Sequence, residues 1–216
     1  MSGMLEPFRI HLGDQLPVQQ TQFTCGSASL TVARMLVDPG FARWIVHGDR
    51  RALPLPLGDT EDERAAAFEE IVIARTNSVF GPGGRIQLPW PRRLGTPPWG
   101  AKLELETGAA TAGVRFVTRW CRLGGETRMR RHHDEIRERV GAGRPAVLYI
   151  GSTWLPRHVT LVVPSESTDG LDVYDPASGQ VEPLPADSFA TRRLHIAGWD
   201  VPWCVVLPRS GTPKVS

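Results

Sequence analysis

The chain has 216 residues, enough for one domain with a sizeable core and too few for two independent ones. Hydrophobic residues make up 41% and charged residues 22%, which excludes a disordered or fibrous chain. With 25 Lys and Arg against 23 Asp and Glu, the net charge of +2 is too small for the phosphate-neutralising surface of a nucleic-acid binder, and no apolar stretch reaches the ~20 residues that cross a bilayer.

Residues 1–14 lack an apolar segment after a basic start, so no export signal is read there and a cytoplasmic, membrane-free protein is expected. The chain holds 3 cysteines, Cys25, Cys121 and Cys204, an odd number with no CxxC pair. That argues against a disulfide framework or a thiolate zinc site, and no metal or cofactor is proposed.

From Cys25 onward, Ala28, Val32, Met35 and Leu36 recur at helical spacing until Asp38-Pro39-Gly40, so a buried helix is predicted over 26–37. Thr60 with Glu63 three residues on forms a capping box, and Ala65, Phe68, Ile71 and Val72 supply the apolar face of a second helix ending near Asn77. Residues 79–100 hold most of the Gly-Pro punctuation and two Trp, an irregular connection placed to lie over a cleft. Thr96 before Pro97 is read as an N-cap and first helical residue of a short helix running to Leu105 and ending near Gly108, before the strand-like run from Val114.

Residues 131–141 are strongly charged with Ile136 and Val140 at i and i+4, which predicts an exposed amphipathic helix. His132 and His133 within it read as part of a solvated face, since adjacent helical residues point about 100° apart and cannot easily share a ligand. The runs 145–150, 158–163, 171–174 and 204–207 are short, apolar or alternating, and separated by turns. Helices first and strands later is the α+β pattern, an antiparallel sheet with helices segregated to one side.

The chemistry centres on Cys25. A thiol attacks as thiolate, and a cysteine in the first turn of a helix sits where free N–H groups and the helix dipole favour negative charge. Gly26 after it has no Cβ to obstruct a substrate carbonyl, and the Cys25 N–H is a candidate oxyanion donor. Such a nucleophile needs a base and an acceptor that orients the base. His158 opens one strand run and Asp175 follows the next, and a hairpin through the loop 164–170 would make them cross-strand neighbours. Taken singly, Cys25 reads as packing, His158 as an ordinary strand residue and Asp175 as a turn former; together they read as a site. Trp90, Trp99 and Trp154 stand in predicted loops, with Trp99 and Trp154 as candidate substrate contacts.

The segment QQTQFTCGSASL, the run RHVTLVV and the turn YDPASG together resemble the papain-like cysteine peptidases, and within them the bacterial C39-like branch. The resemblance runs from residue 16 to 181 and implies a central N-terminal helix packed on an antiparallel sheet. It also implies that Gln19, six positions before Cys25, completes an oxyanion hole, with Gln20 and Gln22 flanking it. A further implication is a single catalytic domain over 1–216 with an inserted loop at about 79–100, accounting for the 133 residues between Cys25 and His158. The activity so implied is hydrolysis of a peptide or amide substrate through an acyl-enzyme. A papain-like acyltransferase or transglutaminase-like enzyme, passing the acyl group to an amine, is the alternative; a peptide-binding domain without catalysis is a third, to which a complete Cys, His and Asp set is superfluous.

Overall fold

The computed structural model of the protein describes residues 6–49, 58–166 and 169–211. Its helices are α1 (Cys25–Met35), α2 (Pro39–His47), α3 (Glu61–Asn77), α4 (Pro98–Glu104), α5 (Glu126–Arg139) and α6 (Ala186–Thr191). Its strands are β1 (Phe116–Trp120), β2 (Ala146–Gly151), β3 (Pro156–Pro164), β4 (Leu171–Asp175), β5 (Gln180–Pro183) and β6 (Val201–Pro208). They form one sheet of order β1-β6-β2-β3-β4-β5 in which every neighbouring pair is antiparallel.

All six residues of β2 are buried, so neither side of this strand meets water. Val147 and Tyr149 enter a core shared with α1, α2 and α3, while Ala146, Leu148 and Ile150 enter a second core with Met129 and Ile136 of α5 and Phe189 of α6. The expectation of helices on one side is therefore corrected. A sheet whose inner strands are apolar on both faces needs a cover on both, and each Leu, Ile or Phe so buried stabilises the fold by about 1.5–3 kcal/mol.

The capping box of α3 forms as expected, the Thr60 hydroxyl accepting from the Glu63 N–H at 3.2 Å and Glu63 Oε2 from the Thr60 N–H at 3.1 Å. Asp38-Pro39 does more than end α1. Its carboxylate accepts from the Phe41 N–H at 3.0 Å and Pro39 opens α2, an unpredicted helix that lays Phe41 and Trp44 against Phe68. The short β5 and α6 were also not predicted. Helix α5 begins five residues before the predicted start, and His133 in it is buried rather than solvated, because α6 packs across that side of the helix and the Leu184 carbonyl meets its Nε2 at 3.0 Å.

Residues 78–97 contain two short 3-10 turns, 82–84 and 92–94, and are pinned to α3 rather than loose. Gln87 Nε2 donates to the carbonyls of Arg75, Thr76 and Ser78 at 2.8–3.0 Å, and Asn77 Nδ2 donates to Gly95 O at 2.8 Å. No helix among the described residues is long and apolar enough to cross a membrane.

Candidate active site

The chain approaches α1 along a strap rather than a helix. The Leu16 N–H donates to Gly179 O at 2.8 Å, the Gln19 N–H to Pro176 O at 2.8 Å, and the Tyr174 hydroxyl to Pro17 O at 2.5 Å. These bonds fasten the strap to the turn that leaves β4. Gly179 is required there: its φ is +75°, and a Cβ would lie 2.2 Å from Gln15 Nε2 and 2.4 Å from Leu16 O. Beneath the strap the α3 carboxyl of Glu69, 1% exposed, accepts from the Gln20 N–H at 3.5 Å and hydrogen-bonds the Thr24 side chain. Burial raises its pKa to about 7 against the pull of those two hydrogen bonds.

Cys25 is the first residue of α1. No side chain caps the helix and no acid stands in its first turn, so the dipole and the first N–H groups face the sulfur uncompensated. Helix α1 is seated on β3, where Ser29 Oγ donates to Val159 O at 3.3 Å, which brings its tip to the end of the strand that carries His158. His158 and Cys25 are within hydrogen-bonding reach of each other.

The β3–β4 register pairs Leu161 with Tyr174, so His158 and Asp175 stand just beyond the last pair in a diagonal relation. Their side chains meet, His158 Nε2 lying 2.6 Å from Asp175 Oδ1, although they are 17 residues apart. Part of the predicted hairpin loop, residues 167 and 168, lies outside the described residues. The carboxylate is itself fixed by the Ala177 N–H on Oδ1 at 2.9 Å and by Ser178 Oγ on Oδ2 at 3.0 Å. Burial alone would lower the His158 pKa, but hydrogen bonds to Asp175 and to Cys25 outweigh it and lift the pKa to about 9. For Asp175, burial works upward and is outweighed by the His158 hydrogen bond and the turn N–H, which hold its carboxyl below the usual carboxylate range.

Cys25 and His158 open onto a cleft of about 740 Å³. One wall is residues 90–99, where Trp90 and Trp99 pack edge to face at 5.3 Å and Trp99 Nε1 donates to Leu88 O at 2.8 Å. The other is built from Trp120, Tyr149, Trp199 and the start of β3. Gln19 lines the cleft, and its side-chain amide makes no hydrogen bond among the described residues; the oxygen is buried and unpartnered. Gln20 does not line the cleft: it is exposed and turns its side chain back to Val18 O at 3.4 Å.

Two expected substrate contacts are corrected. Gly26 is buried, and a Cβ on it would fall 2.6 Å from Thr96 Cβ, so its bareness admits the Thr96 side chain rather than a substrate. Thr96 does not cap α4, whose capping position is Pro97; its carbonyl accepts from the Tyr149 hydroxyl at 3.0 Å. Trp154, 81% exposed, sits on the tight turn between β2 and β3, outside the cleft, because Ser152 Oγ accepts from the N–H groups of Trp154 and Leu155 and closes that turn tightly. Trp99 lines the cleft as expected. Trp120, Trp199, Arg93 and Arg157 were not foreseen there; they come from separate elements, and no local pattern signals that they converge. Cys121 and Cys204 are buried, burial pushing the Cys121 thiol up to about 12 and the Cys204 thiol higher still.

No protein-family profile matches the sequence, and no curated protein does. Among solved structures, the crystal structure of the Pseudomonas avirulence protein AvrPphB aligns over 93% of this chain and 96% of its own, with a TM-score of 0.46 and 12% identity.

Proposed function

We propose that this protein is a cysteine-nucleophile hydrolase, a thiol peptidase or amidase acting through an acyl-enzyme, with Cys25, His158, Asp175 and Gln19 as its machinery. The observation that carries the reading is the convergence of a helix-tip cysteine and a buried histidine on one cleft, with a buried aspartate hydrogen-bonded to that histidine. Asp175 occupies Nε2 of His158 and leaves Nδ1 to take the Cys25 proton. The thiolate adds to the substrate carbonyl carbon, and the oxyanion that forms accepts from the Cys25 N–H and the Gln19 Nε2 amide group, Gln19 lining the same cleft. Collapse breaks the C–N bond as His158 returns the proton to the departing amine. Water, deprotonated by the same imidazole, then adds to the thioester and releases the acid and the Cys25 thiol. The charged side chains on the cleft wall are Arg93, Arg157 and His158, all cationic or cationic when protonated. Such a wall disfavours an ammonium acceptor and so favours hydrolysis over transfer to an amine.

Alkylation with iodoacetamide at pH 7, followed by peptide mass mapping, tests the assignment. Cys25 is expected to react at least ~100-fold faster than Cys121 or Cys204, which burial keeps as thiols. Cys25→Ala should remove hydrolysis of a fluorogenic peptide library by on the order of 10⁴-fold or more while leaving the thermal transition in place. Equal reactivity of the three thiols, or a Cys25→Ala protein with full activity, overturns the proposal.

A further inference from the structure

The cleft wall combines two kinds of side chain in a way that narrows the substrate. Trp90, Trp99, Trp120, Trp199 and Phe23 give it aromatic surface on both sides. None of its lining residues is acidic, and it carries Arg93 from the turn 92–94 and Arg157 from β3. Neither arginine makes an ion pair or a hydrogen bond among the described residues. In the same neighbourhood other arginines are paired: Arg92, next to Arg93, binds Glu70 at 2.9 Å, and Arg75, further along α3, binds Glu104. Arg157 adjoins His158 in sequence; the His158 ring is already held by the Asp175 carboxylate at 2.6 Å, so Arg93 and Arg157 are the two cations of the cleft wall without a carboxylate partner among the described residues. The buried Gln19 Oε1 and Thr96 Oγ1, both on lining residues, also lack partners among the described residues.

We propose that the cleft selects peptide substrates carrying an acidic side chain beside an aromatic or large aliphatic one, the anion held by Arg93 and Arg157 and the apolar group by the tryptophan walls. This rests on the hydrolase reading of Cys25 given above. The attraction is partly solvent-screened because both arginines are exposed, and it should weaken with added salt. Guanidinium groups left free at the rim of an apolar cleft are suited to fork onto a carboxylate, and the same field repels a lysine at that place.

The test is protection of Cys25 from iodoacetamide by blocked dipeptide amides containing Phe followed by Glu, Gln or Lys, together with the relative rates of iodoacetate and iodoacetamide. The Glu peptide should protect at roughly three- to tenfold lower concentration than the Gln peptide, with Lys weakest, and the order should flatten in 1 M salt. In the double variant Arg93→Gln, Arg157→Gln, both the peptide order and the iodoacetate-to-iodoacetamide ratio should fall by a similar factor. Circular dichroism checks that the variant is folded, and both positions are on the surface. A reactive Cys25 with no preference among the three peptides, or a ratio unchanged in the folded double variant, overturns the substrate class and leaves the hydrolase reading standing. A Cys25 no more reactive than Cys121 overturns both.

Discussion

His133 and His158 are both buried, at 4% and 5% exposure, one in the layer formed by α5 and α6 and the other beside the tip of α1. His133 has the Leu184 carbonyl at 3.0 Å and the edge of Phe189 with ring centres 5.6 Å apart, and burial pulls its pKa below the ordinary histidine value. His158 has a carboxylate at 2.6 Å and a cysteine within reach, and its pKa rises to about 9 although burial works in the opposite direction. Each histidine lies near a buried cysteine's layer, Cys121 on the first side and Cys25 on the second. Residue type and burial are thus shared, while the charge state differs. What separates a packing histidine from a candidate base is the charged partner, here a single carboxylate held rigid by the turn 175–179.

The largest way to break that contrast is Asp175→Asn, which should turn His158 into a second His133. The ring titration followed by NMR is expected to fall from about 9 toward the usual 6.5, and acyl transfer from Cys25 to drop on the order of 10²–10⁴-fold. The linkage has a definite sign. A histidine whose folded pKa is raised stabilises the protein fully below its unfolded value of 6.5, and that contribution is lost as pH rises through about 9. Denaturation at pH 6 and pH 10 should show this loss in the native protein and not in the variant. An unchanged titration would mean that Asp175 does not govern the ring.

Glu69 sharpens the comparison from the acidic side, because it is buried without an ion pair among the described residues. Its folded pKa of about 7 exceeds the ordinary 4.5, so it favours the fold below pH 4.5 and that support disappears as pH rises through 7, by on the order of 1–3 kcal/mol. Urea titrations at pH 5 and pH 8 should reveal the decline, and Glu69→Gln, which retains an acceptor for the Gln20 N–H, should be flat over the same interval. The smallest effect is expected at His133→Phe. The variant loses one hydrogen bond and also an unpartnered buried Nδ1, so stability should change by about 1 kcal/mol or less, with Cys25 alkylation within about twofold of native. A large loss of Cys25 reactivity there would show that the two layers are coupled.

Much of this arrangement can be read from local sequence. The capping box at Thr60 and Glu63, the helix headed by Cys25, and the strand runs around His158 and Asp175 each rest on signals a few residues long, and each appears in the structure. The nearness of His158 to Asp175 follows from a hairpin between adjacent runs. The misses have a common cause. Helices α2 and α6 and strand β5 are short, and their residues also suit turns, so only packing selects the outcome. His133 has a charged sequence context but a buried place, because the element that covers it, α6, lies more than fifty residues further on. Gly26 is read from what a substrate carbonyl would need and Trp154 from its place in a predicted loop, whereas Thr96 and the turn at Ser152 set where they stand.

Spacing and residue type along the chain are thus sufficient to nominate the nucleophile, the imidazole and its carboxylate, because helix caps, alternation and hairpins act over short distances. They do not bring residue 25 to residue 158, nor order the strands β1-β6-β2-β3-β4-β5, nor set two tryptophan-bearing walls and two arginines, unpaired among the described residues, around one opening. Those are long-range contacts, selected by the burial of apolar faces on both sides of one sheet. That selection acts on the folded chain as a whole, and no short segment contains it.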